Sequence, residues 1–239
     1  RDMQIVNGGQ TTASIFNARN DRKIAADLSQ VFVQMKISVI HSEADMDKIV
    51  SRISTFANTQ NKIQIADFSA NDPFHRRIEE LSRTIWAPAQ GGMKPKNWFY
   101  ERARGQYADM LTRESTAKKK KEYKETHPLF TKTDLAKYEN TWDQLPWQVS
   151  EGAQKNFHRF MLRLKERKGF IPDEIYYQHL IAKAILFRQA EKLVQKQQYG
   201  GYRANIVTYT LAFLSFKTAQ RIDLDRIWKE QSLSPALEL

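Results

Sequence analysis

"QIVNGGQTTASIF", residues 4–16, runs a short apolar segment into two glycines, a set of hydrogen-bonding side chains and then a helical pattern. That order describes a strand, a tight turn and a helix N-terminus. Gly8 and Gly9 permit positive φ and close backbone approach. Asn7 and Gln10 offer amides, and Thr11 and Thr12 offer hydroxyls at the helix start. Such a turn can present backbone N–H groups to an anion, so Asn7, Gly8, Gly9, Gln10, Thr11 and Thr12 are candidate ligands of a phosphate or nucleotide. The competing reading is a structural corner whose polar residues cap the helix.

Outward from this turn the signals keep alternating. Helical character runs from Thr11 to Ala26. "VFVQMKISVI" (31–40) sets Val33, Met35, Ile37 and Val39 against Gln34, Lys36 and Ser38, the period of a strand. "SEADMDKIVSRISTFANTQN" (42–61) begins on Ser42 with acidic residues in its first turn and spaces its apolar residues helically. A further helix is expected from Pro73 to Ile85, with the proline in its first turn. Residues 1–90 therefore read as an α/β unit, and the Pro- and Gly-rich loop 88–97 marks a candidate boundary.

Residues 91–239 read as mostly helical. "WFYERARGQYADML" (98–111) suggests a short strand followed by a helix, and Lys118–Lys121 a solvated, mobile run. From Thr131 onward, four segments combine helical periodicity with capping residues; one of them places Ser150 at the start of "SEGAQKNFHRFMLRL". The stretch 206–216 is apolar nearly all round, the pattern of a buried central helix. The fold class expected is α+β.

Composition narrows the function classes. The 239 residues include no cysteine, which excludes disulfides and thiolate zinc sites and fits a reducing cytoplasm. No run of apolar residues is long enough for a membrane span, and residues 1–30 lack a signal-peptide core. Beginning on Arg1, the chain reads as a piece of a longer protein. The net charge of +11 is uneven: residues 86–124 carry 10 basic against 4 acidic groups. A polyanionic partner is expected there first.

Two further clusters stand out. Asn58, Gln60 and Asn61 gather where the 42–61 helix should end, and the carboxyl ends of strands in α/β sheets are where such amides could meet the opening turn. In "MKPKNWFYERARGQY" (93–107), Lys94, Lys96, Arg102 and Arg104 interleave with Trp98, Phe99, Tyr100 and Tyr107. Cations beside planar rings suit backbone contact plus base stacking; a core strand with solvated charges gives the same pattern.

Enzyme signatures are poor. Five histidines are scattered without metal-ligand spacing, and no nucleophile-elbow or Walker A sequence is present. Asp109 with Glu122 and Lys124 matches a metal-nuclease pattern on paper, but its Glu-x-Lys lies in a lysine run rather than an apolar strand. No catalytic residue is assigned and no metal site is expected.

Taken in order, "IVNGGQTT", "ANTQNKIQIADFSANDPFHRRIEEL", "WFYERARGQY" and "WQVSEGAQKNFHRFM" resemble the AIPR family, named for abortive-infection phage resistance. That resemblance implies a bacterial antiviral role. A more distant similarity joins the opening motif to the Asp-Gly-Gln-Gln/His-Arg motif of ParB/sulfiredoxin-like proteins. Asn7 stands at the acidic position, Gly8 at the glycine, Gln10 at the second glutamine and Thr11 at the arginine. Asn58 and Gln60 match the asparagine and glutamine of the second ParB motif, and Asn61 replaces its arginine. The carboxylate and both arginines are missing, so a bidentate phosphate donor is lost. The similarity implies amide-mediated binding of a nucleotide or nucleic acid, and the missing charges count against catalysis that depends on them.

The expectation is therefore a cytoplasmic phage-defence protein that binds a nucleotide or nucleic acid, DNA or RNA. A nucleoside triphosphate with magnesium stays open as cofactor, and a second copy of the chain or a phage protein acting as trigger stays open as partner. A nucleotide-dependent nuclease and a scaffold of a defence complex are the alternatives.

Overall fold

The computed structural model describes residues 5, 8–20, 27–39, 49, 69, 71–89, 91–92, 94–167, 169–197 and 199–238. The chain divides into two compact units, 1–63 and 64–239.

In the first unit Gly8, at φ +94°, turns the chain into α1 (Gly9–Asn20). The Thr12 hydroxyl donates back to the Gly8 carbonyl at 3.1 Å, and Asn20 closes the other end by donating to the Phe16 carbonyl at 2.9 Å. The helix buries none of its residues. The strand expected at 31–40 does not form over its described residues: 31–39 have no ladder partner, and Phe32 and Val39 are 87% and 73% exposed. Alternation sorts side chains onto two faces, but a strand also needs hydrogen bonds from a neighbouring segment. Apart from Ile49, which is helical, the helix expected at 42–61 lies outside the described residues.

The second unit carries the sheet. Asp72 caps α2 (Pro73–Thr84) by accepting the Phe74 N–H at 2.9 Å, and the proline supplies a first turn that needs no donor. α2 buries Phe74, His75, Ile78 and Leu81. β1 (Phe99–Glu101) pairs in parallel with β2 (Leu129–Thr131), Phe99 opposite Leu129, Tyr100 opposite Phe130 and Glu101 opposite Thr131. Parallel neighbours require a crossover, which α3 (Gln106–Arg113) and α4 (Ala117–Thr126) provide. The expected α+β class therefore holds as a mostly helical chain with a two-stranded parallel sheet, and among the described residues both strands belong to this unit.

The lysine run 118–121 is helical rather than a loop. Thr116 caps α4 by accepting the Lys119 N–H at 3.2 Å, lysine and glutamate are good helix formers, and Glu122 and Glu125 stand four residues after Lys118 and Lys121.

β2 runs directly into α5 (Lys132–Trp142) through a capping box between Thr131 and Asp134. α6 (Pro146–Ser150) and α7 (Ala153–Glu166) follow. Ser150 ends α6 and donates to the Pro146 carbonyl at 3.1 Å; the N-cap of α7 is Gly152, which reaches φ +98° and ψ 158° where a side chain would be strained. α8 (Glu174–Lys196), capped by Asp173, is the central helix and packs on α5, α9 (Arg203–Lys217) and α10 (Leu224–Glu230). A last turn, α11, covers Pro235–Glu238. The core around Ile78, Tyr100, Phe130, Leu135, Phe157 and Leu180 is closed to solvent.

α9 departs from its expected burial. It buries Val207, Thr208, Leu211, Ala212 and Ser215, yet Tyr209, Phe213 and Phe216 are 49%, 59% and 62% exposed. An all-apolar pattern states that both faces can be buried; the second unit covers one.

Candidate nucleic-acid interface

The segment singled out at 93–107 splits by its backbone into a buried strand and a polar turn. Trp98 and Tyr107 are 4% and 8% exposed; the Trp98 indole donates to Gln231 at 2.9 Å and the Tyr107 hydroxyl to the His127 carbonyl at 2.8 Å. Their burial leaves neither ring a face for a nucleobase. Beyond the strand, the Glu101 carboxylate accepts the N–H groups of Gly105 and Tyr107, both at 3.2 Å, and ties the turn in which Gly105 adopts φ +94°.

The cations of that turn are differently placed. Arg102 turns back, donating to Glu79 at 2.5 Å and to Asn71 at 3.4 Å. Glu79 also accepts from Gln106 at 2.7 Å and pairs with Arg83 at 3.5 Å, so this carboxylate balances two guanidinium groups. Arg104 is exposed, Lys96 is half-buried, and Lys94 is exposed and paired with Glu122 on α4.

A series of rings leads from the core to solvent beside α4. Phe99 meets Tyr107 at 5.1 Å, Tyr107 meets Tyr123 at 5.9 Å, and Tyr123 lies flat on His127 at 4.1 Å with 5° between the planes. His127 meets Trp86 edge to face at 5.6 Å, and Trp86 is half exposed. At the inner end the Arg83 guanidinium lies 3.6 Å above Phe99 and donates to the Tyr100 carbonyl at 3.1 Å. The Thr126 hydroxyl donates to the Glu122 carbonyl at 2.9 Å and lies 2.9 Å from His127 Nδ1, which is also 3.2 Å from the Tyr123 carbonyl. Burial holds the His127 pKa below its ordinary value, so this ring is neutral at neutral pH.

Tyr123 anchors α4 to this stack, and Asn97 N–H donates to the Thr126 carbonyl at 2.8 Å. The same helix carries Lys118, Lys119, Lys120, Lys121 and Lys124, all exposed and spread around its circumference, and Arg113 is exposed at the end of α3. Reading 93–107 alone misses Trp86, Tyr123 and His127. Their signal is the same aromatic–cation interleaving carried over the longer span 86–127.

The opening turn belongs to the first unit. Gly8, Gly9, Gln10, Thr11 and Thr12 are exposed, and among the described residues a Cβ at Gly8 or Gly9 would meet nothing within 4 Å. Asn7, Asn58, Gln60 and Asn61 lie outside the described residues. The nuclease pattern gains no support from placement, because Glu122 and Lys124 sit on α4 with Glu122 paired to Lys94. Among the described residues no group of three or more His, Asp or Glu side chains could hold a metal ion.

The "GAQKNF" segment packs. Asn156 and Phe157 are buried, and Asn140 on α5 donates to Asn156 Oδ1 at 2.6 Å while accepting from Arg163 at 2.5 Å.

Among the described residues no helix is long and apolar enough to cross a membrane. No curated protein and no solved structure gives a significant match to the chain. The profile of the family described as AIPR protein matches residues 1–239, the whole length, and by that match the chain belongs to the AIPR family.

Proposed function

We propose that this AIPR protein acts in abortive-infection defence against phage, in the cytoplasm, by binding single-stranded nucleic acid along α4 and the Trp86–His127–Tyr123 stack. The observation that carries the reading is the half-exposed Trp86 ring at the outer end of a stack that also anchors a helix with five exposed lysines. Unpaired bases stack on aromatic faces while lysines neutralise the backbone, a combination that suits single strands. The test is fluorescence anisotropy with DNA and RNA oligonucleotides over a salt series. Binding should weaken with salt, log K falling by about 0.7 per phosphate neutralised for each tenfold rise in salt. Affinity that ignores salt, or no binding at all, contradicts the proposal. Recovering the oligonucleotide intact after incubation with magnesium supports a binder; fragments favour the nuclease alternative.

A nucleotide site at the Gly8–Thr12 turn is the second reading, supported by the positive φ of Gly8 and the exposure of Gly8 to Thr12. The ParB/sulfiredoxin-like interpretation of the first unit rests on that same sequence motif. A panel of nucleotides in a thermal-shift assay tests it. A ligand binding only the folded state at a hundredfold excess over Kd stabilises by about 2.7 kcal/mol, and the shift should vanish in Gln10→Ala.

A further inference from the structure

We infer that the solvent face of α9 docks an acidic amphipathic helix of a partner protein. Ile206, Tyr209, Phe213 and Phe216 follow one another at spacings of three, four and three residues, the a/d seam of a heptad. The seam points away from the core of the second unit. Val207, Leu211 and Ser215, on the opposite side of the helix, are buried, whereas Tyr209, Phe213 and Phe216 are exposed by roughly half or more. An exposed apolar stripe of this regularity on a helix already packed by its other face is an interaction surface.

Charge selects the occupant. One edge of the seam carries Arg203, Thr210 and Lys217, the positions that choose partners in helix pairs, and Lys217 lies 5.3 Å over the Phe213 ring. The other edge carries Asn205 and Ala212, and α9 has no acidic residue. A second copy fits poorly. Antiparallel pairing would set Arg203 against Lys217 of the other copy, and parallel pairing offers these cations no carboxylate on α9. A partner helix with an apolar stripe and glutamates beside it satisfies both the seam and the cations. The edge of Asn205 is bordered by α6, whose Ser150 hydroxyl donates to Asn205 at 3.4 Å.

The experiment titrates the chain with two labelled synthetic helices of about four heptads, both with leucine at a and d. One carries glutamate at e and g, the other lysine. The glutamate peptide should bind at least about tenfold more tightly than the lysine peptide. Phe213→Ser should abolish that binding without moving the thermal midpoint, since the ring is exposed. Arg203→Glu combined with Lys217→Glu should reverse the preference. Failure of the glutamate peptide to bind, equal binding of the two peptides, or binding retained in Phe213→Ser overturns the inference. So does a chain that light scattering shows to be a dimer dissociated by Phe213→Ser, because the occupant would then be a second copy.

Discussion

Trp86 and His127 meet edge to face, their ring centroids 5.6 Å apart, at the point where the aromatic stack of the second unit reaches solvent. The contact joins the segment after α2 to the C-cap of α4, so a half-exposed indole is fixed against the end of the helix that carries the lysines. If that indole receives a base, Trp86→Ala removes stacking worth about 1–3 kcal/mol, a loss of about fivefold to over a hundredfold in affinity for a short oligonucleotide. Anisotropy measures the loss, and a melting curve checks that the fold survives. Unchanged affinity would place binding elsewhere.

The lysines of α4 should act through charge alone. Replacing Lys118, Lys120 and Lys121 together by glutamine should weaken binding similarly across oligonucleotide sequences. The salt slope should flatten by about 0.7 for each phosphate left without its lysine. The helix should persist, because glutamine is also a good helix former and Thr116 still caps it. A drop in affinity with an unaltered slope would contradict the backbone-binding role.

Stability should fall with acid before the carboxylates titrate. His75 is fully buried, 2.6 Å from the Tyr100 hydroxyl through Nδ1 and 3.2 Å from Met161 sulfur through Nε2. Burial, reinforced by the charges of Lys132 and Arg102, lowers its pKa from 6.5 to about 3. Between those two values the unfolded chain binds the proton and the folded chain does not. Stability from this group is therefore complete above its ordinary value and declines as pH falls, approaching about 1.4 kcal/mol per pH unit within the window. Urea midpoints between about pH 7 and pH 5 should show the decline. A flat profile there would mean that His75 takes up its proton without unfolding.

The "GAQKNF" segment should prove to be a stability element. Gly152→Ala places a side chain at φ +98° and ψ 158°, a region nearly confined to glycine, and should cost about 1–3 kcal/mol although a Cβ there meets no neighbour. Asn156→Ala removes the acceptor of the buried Asn140 amide and should cost about 1–3 kcal/mol. Chemical denaturation measures both. Oligonucleotide affinity of the folded variants should equal that of the parent; a selective loss of binding would assign this segment a ligand role instead.

Elements whose signal is local were readable from the chain. Pro73 in a first turn marked α2, and helical periodicity from Thr131 onward marked α5 and α8, whose starts the structure shows capped by Asp72, Thr131 and Asp173. The sheet was half readable: aromatic Phe99 and Tyr100 suggest a strand, but Leu129-Phe130-Thr131 is too short to show a period, and its pairing depends on residues about thirty positions distant. The alternation at 31–39 shows the reverse, a strand pattern without a partner among the described residues. For the interface, interleaved cations and rings marked the right region. Which tryptophan faces solvent was settled by tertiary packing: Gln231 and Phe130 enclose Trp98, while Trp86 meets His127 and stays half exposed.

The most direct test of where nucleic acid binds is photo-crosslinking of a single-stranded oligonucleotide carrying a photoreactive base, followed by mass mapping of the linked peptides. Crosslinks concentrated on peptides containing Trp86, Tyr123 or His127, and lost in Trp86→Ala, are the expected result. Crosslinks at the Gly8–Thr12 turn instead, or none above background while the oligonucleotide is bound, would contradict the interface on α4.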